Sequence, residues 1–201
     1  MALLLKPISW KRMNDAVEKV RQRVLRVAAT LKAAGVPYAV VGGNAVAAWV
    51  SRVDESAVRN TRDVDILLRR SDLPQAIEAM QAAGFVHRQV GSLGKAGHMD
   101  VFLDGPEAKV RDAVHVVFAG ERTLPDSPAE NARIEEAEEA DEFMLVTLDA
   151  LVRMKLAAWR DKDRMHLRDL IDVGLLEQAK VGLLPSPLND RLQFLFDNPD
   201  S

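Results

Sequence analysis

The chain has 201 residues with 27 basic and 30 acidic side chains, a net charge of −3, which argues against a general nucleic-acid coat. It contains no cysteine, which excludes a disulfide framework, thiol catalysis and cysteine-ligated zinc. No stretch approaches the roughly 20 apolar residues of a membrane helix, and the opening Met-Ala-Leu-Leu-Leu-Lys-Pro is too short an apolar run for a signal peptide, so a cytoplasmic protein is expected.

In chain order, residues 15–34 place Val17, Val20, Val24, Val27 and Leu31 at helical spacing, and Gly35 with Pro37 stops the helix. The apolar run at residues 38–41 predicts a strand that enters the turn Gly42-Gly43, and residues 44–51 predict a short helix. After a loop around residues 51–56 comes a second strand at residues 64–68, then a helix over residues 75–83 that ends at Gly84. Strands are expected at residues 85–90, 98–103 and 113–119, with a flexible turn at residues 91–97. Pro125 and Pro128 mark a loop, and from Thr147 the pattern is helical until a linker at residues 184–187 and a short last helix. Charge is uneven: Lys11, Arg12, Lys19, Arg21, Arg23 and Arg26 crowd the first helix, whereas residues 121–142 are acidic. Two readings stand: solvated faces paired within one molecule, or a basic helix that meets RNA or an acidic partner.

The chemistry concentrates at residues 38–44, Tyr-Ala-Val-Val-Gly-Gly-Asn, and residues 59–68, Arg-Asn-Thr-Arg-Asp-Val-Asp-Ile-Leu-Leu. Alternate strand residues point to one side, so Asp63 and Asp65 project together. Two acids side by side repel, and a divalent cation neutralises them; hard oxygen ligands suit Mg²⁺ or Mn²⁺, which also takes phosphate oxygens. Without a Cβ, Gly42 and Gly43 let a phosphate approach the backbone, where the next helix offers unpaired N–H groups.

This order resembles the nucleotidyltransferase superfamily that includes DNA polymerase β: an apolar strand, Gly-[Gly/Ser], a short helix, then Asp-apolar-[Asp/Glu]. The likeness is closest to the bacterial abortive-infection and toxin–antitoxin branch, whose Arg-x-Thr-x-Asp-apolar-Asp is matched by Arg59, Thr61, Asp63 and Asp65. The resemblance implies an α/β (α+β) nucleotidyltransferase fold, a mixed sheet flanked by helices. Residues 1–120 would be the core, and residues 121–201 an acidic linker and C-terminal helical region packed on it. It implies a nucleoside triphosphate held by Gly42, Gly43, Asn44, Arg59 and Thr61, with metal on Asp63 and Asp65. A third acid is expected on a later strand, and Asp100 in His98-Met-Asp100 is the candidate for metal ligand or base. His115 on an apolar strand reads as a hydrogen-bonded core histidine, and His98 as a possible substrate contact beside a glycine turn.

In the C-terminal part, Lys155 is a cation within an apolar helical pattern and needs an anionic partner. In one unbroken helix Lys155 and Asp169 would lie about 21 Å apart, so the polar run 160–164 is expected to turn the chain back. The toxin-like branch has a similar Lys-Leu-x-Ala, turn, Arg-Asp-x-x-Asp pattern, matched at Lys155, Arg160, Arg168, Asp169 and Asp172, although Val173 replaces its final leucine. The resemblance implies phosphate contact by Lys155 and a polar cluster completed by Asp169. The expected activity is transfer of a nucleoside monophosphate to a hydroxyl of tRNA, a protein or a small molecule, with a cognate antitoxin as partner. The alternative is a catalytically silent nucleotide-binding or regulatory module of the same fold.

Overall fold

The structure, a computed structural model, describes residues 9–91 and 98–199. The glycine turn expected at residues 91–97 lies largely outside them, as does the extreme N-terminus.

Helix α1 (Trp10–Ala33) starts at Ser9, whose hydroxyl accepts the Arg12 N–H at 3.4 Å, and buries Val24, Val27, Ala28 and Leu31. Strand β1 (Tyr38–Val41) is buried throughout and runs directly into α2 (Gly42–Ser51). Strand β2 (Val64–Leu68) follows, then α3 (Leu73–Ala82) with Pro74 in its first turn. The pair β3 (Val86–Gly91) and β4 (His98–Leu103) precedes β5 (Val114–Phe118). Residues expected as an acidic linker instead supply β6 (Ala137–Glu139) and β7 (Met144–Val146). Helices α4 (Leu148–Ala158), α5 (Asp161–Asp172) and α6 (Leu188–Asp197) complete the chain.

Among the described residues the strands form one seven-stranded mixed sheet in the order β3-β4-β5-β2-β1-β7-β6. Strand β1 is antiparallel to β2 and parallel to β7, and β2 is parallel to β5. The division expected at residue 120 therefore cuts through the sheet, because β7 is hydrogen-bonded to β1. Trp49 of α2 reinforces that seam by donating its indole N–H to the Val146 carbonyl at 3.1 Å. The acidic residues around β6 and β7 are largely paired with the rest of the molecule: Arg52 with Glu138 at 3.0 Å, Arg153 with Glu136 at 2.8 Å, Arg21 with Glu142 at 3.6 Å. Such exposed pairs contribute about 0–1 kcal/mol each, so the buried Ile134, Leu145 and Val146 do more to hold the segment.

Helix α4 ends where Trp159 adopts a left-handed conformation (φ 50°, ψ 31°), and α5 begins two residues later and packs back against α4. The reversal is thus sharper than the polar turn expected over residues 160–164. Among the described residues no helix is long and apolar enough to cross a membrane.

Candidate active site

The site forms where β1 ends, α2 begins and the approach to β2 crosses both. Gly42 sits at φ +71°, and a Cβ there would lie 1.9 Å from Asp65 Oδ2. The Asp65 carboxylate therefore occupies the space that any other residue at position 42 would fill. A Cβ on Gly43 would meet the Thr61 side chain at 3.1 Å, so Thr61 packs against α2 where the second glycine leaves room. Asn44 donates its side-chain N–H to the Asp63 carbonyl at 2.7 Å and fixes the strand entry. Among the described residues no side chain caps α2 at Val41, and the Asp65 carboxylate stands against Gly42, the first residue of that helix.

Across the sheet, Asp65 of β2 is paired in register with His115 of β5. His115 Nδ1 lies 3.3 Å from Asp65 Oδ1, and Nε2 lies 3.4 Å from the Val110 carbonyl. The hydrogen bond that His115 donates to the Asp65 carboxylate raises its pKa above the ordinary value, against the opposing effect of burial. His115 is thus a neighbour of the acidic pair and not only a core histidine. The sequence signal was its polar ring on the same strand face as Asp65, a parity that needs the β2–β5 register.

Asp100 is not brought to the pair. It stands opposite Gln89 on β3, whereas its neighbour Val101 pairs with His115. Residues 65, 115 and 101 share one face, so Asp100 points to the other. There it is buried, 2.8 Å from His87 Nε2, and accepts the Gln89 side-chain N–H at 3.3 Å. His98 sits opposite Gly91 at the end of the β3–β4 pairing.

The other wall comes from α4 and α5. Lys155 is only 6% exposed; its Nζ donates to Asp163 Oδ1 at 3.1 Å and lies 3.0 Å from His166 Nδ1. Burial pulls the Lys155 pKa down, opposed by the charges of Asp163 and Asp65. Burial would raise Asp163, but Arg160 and Lys155 outweigh it and hold the carboxyl below its usual value. His166 is pushed down to about 4 by burial and then by the Lys155 charge. On the next turn, Asp169 accepts from Arg59 Nε at 2.7 Å, tying the residue 59–65 segment to α5. Its Oδ2 is buried with no hydrogen-bond partner among the described residues, a second acceptor left open at the site. Asp163 and His166 escaped the sequence reading because the run 160–164 read as a turn; as helix, residues 163, 166 and 169–170 share one face.

Among the described residues no three acids or histidines converge to hold a cation unaided. The donor set still fits Mg²⁺, which binds through one or two carboxylates together with substrate phosphates. Asp63 and Asp65 would hold it, close to the open helix end.

Comparison with known proteins agrees with this architecture. The family described as "Uncharacterised nucleotidyltransferase" matches residues 9–181. An antigenic nucleotidyltransferase-like protein from Paracoccidioides brasiliensis superposes with a TM-score of 0.58 at 17% identity, covering 92% of this chain and 91% of that one. ANT(2″)-Ia, solved in complex with adenylyl-2″-tobramycin, superposes with a TM-score of 0.54 at 15% identity over 89% of this chain and 99% of its own. Among curated proteins none matches. At these identities the structures establish the fold, and the family match spans most of the chain. The chain belongs to this uncharacterised nucleotidyltransferase family and is an enzyme of the nucleotidyltransferase superfamily.

Proposed function

We propose that this chain transfers a nucleoside monophosphate from a nucleoside triphosphate to a hydroxyl of an acceptor, with Mg²⁺ or Mn²⁺ held by Asp63 and Asp65. The observation that carries the reading is the seat of the Asp65 carboxylate on Gly42, which sets that carboxylate against the first residue of α2.

In this scheme Gly42, Gly43 and Asn44 bring the triphosphate to the backbone N–H groups of α2. Arg59, anchored on Asp169, and Thr61, packed on Gly43, shape the adjoining wall. When bound, the ion neutralises charge on the triphosphate as it develops. The acceptor oxygen forms a bond to the α-phosphorus, the bond to the bridging oxygen breaks, and pyrophosphate leaves; the hydroxyl proton passes to solvent. Lys155 acts from behind the acidic pair as a fixed positive charge. Asp100 enters no step of this scheme, since it faces away.

The acceptors to test are tRNA, a protein and a small-molecule hydroxyl; ANT(2″)-Ia, with its adenylyl-2″-tobramycin, is the small-molecule precedent. A toxin-like role with a cognate antitoxin in the cytoplasm belongs to the same reading, through the resemblance at Arg59, Thr61, Asp63 and Asp65.

The test is incubation with the divalent cation, each α-labelled nucleoside triphosphate and a bacterial lysate, beside Asp63→Asn and Asp65→Asn. Label should move to an acceptor with the wild-type chain only, with each variant reduced at least about 100-fold and its thermal transition unchanged. Full activity in either variant would refute the assignment.

A further inference from the structure

A cleft of about 430 Å³ lies between α1 and the β4–β5 connection. Its wall includes Arg62, the residue immediately before Asp63, and the loop that delivers Val110 to His115. Four cations, Lys19, Arg23, Arg62 and Lys109, face two carboxylates, Asp104 and Asp112, in a protein whose net charge is −3. Arg23 is committed to the wall: it donates to Asp104 at 3.3 Å and to the Arg62 carbonyl at 3.5 Å. Arg26 also holds Asp104, at 2.5 Å. Lys19, Arg62 and Lys109 have no ion-pair partner among the described residues.

The other cations of α1 show that this is selective. Lys11 is held by Asp15, Arg21 by Glu18 and Glu142, and Lys32 by Glu139. Arg12, seven residues before Lys19 on the same helical face, is exposed and unpaired among the described residues. Arg12, Lys19 and Arg23 thus line one face of α1 for about 16 Å, ending at the cleft. Three cations that have no ion-pair partner among the described residues and converge on one cleft attract phosphate and repel amines.

Building on the proposed transfer, we infer that this cleft receives the acceptor and that the acceptor carries phosphate. Its hydroxyl faces the Asp63 end, and its phosphates rest on Arg62, Lys19 and Lys109. An amine-rich acceptor such as tobramycin is disfavoured by the same charges.

The experiment uses the full chain, a short 5′-fluorescein oligoribonucleotide read by anisotropy, and a fluorescent nucleoside triphosphate with Mg²⁺ read separately. The oligonucleotide should bind, with log affinity falling against log salt at a slope of about −2, as for three neutralised phosphates. The exposed double variant Lys19→Glu/Lys109→Glu should weaken it roughly tenfold or more and flatten that slope, while triphosphate binding and thermal transition stay unchanged. Displacement by excess ribose 5-phosphate would support a small phosphorylated acceptor; resistance to it would support a nucleic-acid strand. Equal oligonucleotide binding by the variant, no binding by the wild type, or tighter binding of tobramycin would overturn the inference. If the oligonucleotide binds and the triphosphate does not, the transfer reading fails, the acceptor role is overturned with it, and the cleft is a phosphate-binding site only.

Discussion

Gly42 carries two demands at once, a positive φ of +71° and an empty Cβ position 1.9 Å from Asp65 Oδ2. Alanine at position 42 would incur the left-handed backbone cost and push the carboxylate off its seat. Gly42→Ala is expected to lower transfer at least about 100-fold and to cost about 2 kcal/mol of stability, read by turnover with labelled triphosphate and by denaturant unfolding. Wild-type turnover in that variant would show that the carboxylate does not depend on the glycine. This residue was legible from sequence, because a glycine at the end of a buried strand and two acids at alternate positions have few other uses. His115 was not, since nothing local states which strand lies beside β2.

The element scale is set by parity and by helix faces. Moving one residue along β4 turns a side chain from one face of the sheet to the other, and this separates Asp100 from Asp65 although both stand on apolar strands. Between α4 and α5 the left-handed Trp159 brings Asp163 and His166 onto Lys155. His166 is held neutral there, pushed down to about 4 from an ordinary value near 6.5. The unfolded chain therefore binds the extra proton first, so this contribution to stability is complete above about pH 6.5 and is lost as pH falls toward 4. Discounted for the partial exposure of the ring, about 2 kcal/mol should disappear across that window. Urea unfolding at a series of pH values should show the slope, and His166→Asn should flatten it; an unchanged slope would place the titration elsewhere. The pairing of Lys155 with an anion was expected from one cation in an apolar helix, but its partner depended on where the helix broke.

At the scale of the whole molecule, the acidic segment is structural. Strand β7 is the parallel neighbour of β1, and the following helix α4, packed against α2, α5 and α6, has Leu151 and Leu156 fully buried. Fully burying such side chains contributes about 1.5–3 kcal/mol each, and Leu145, Leu151 and Leu156 together rival the whole stability of an ordinary domain. A fragment of residues 1–120 exposes the β1 edge and loses this layer, so it is expected to lack a cooperative unfolding transition and dispersed amide resonances. A cooperatively folded fragment would show the core to be independent of its C-terminal part. Two three-residue strands, Ala-Glu-Glu and Met-Leu-Val, escape a periodicity reading, because so short a segment carries too few alternations and takes its conformation from the strand it joins.

The sequence by itself determined what local chemistry determines. It identified the glycine pair that ends a buried strand, the two acids on one side of the next, and a lysine whose helix would otherwise bury it unpaired. Each follows from backbone geometry and the cost of buried charge, which act over a few residues. Tertiary structure alone decided that His115 and not Asp100 stands beside Asp65, that Asp163 and His166 meet Lys155, and that residues 137–146 close the sheet. It also decided which cations of α1 have no ion-pair partner among the described residues. Strand order, register and ion-pair partners are fixed by contacts between residues far apart in the chain, and no local pattern encodes them.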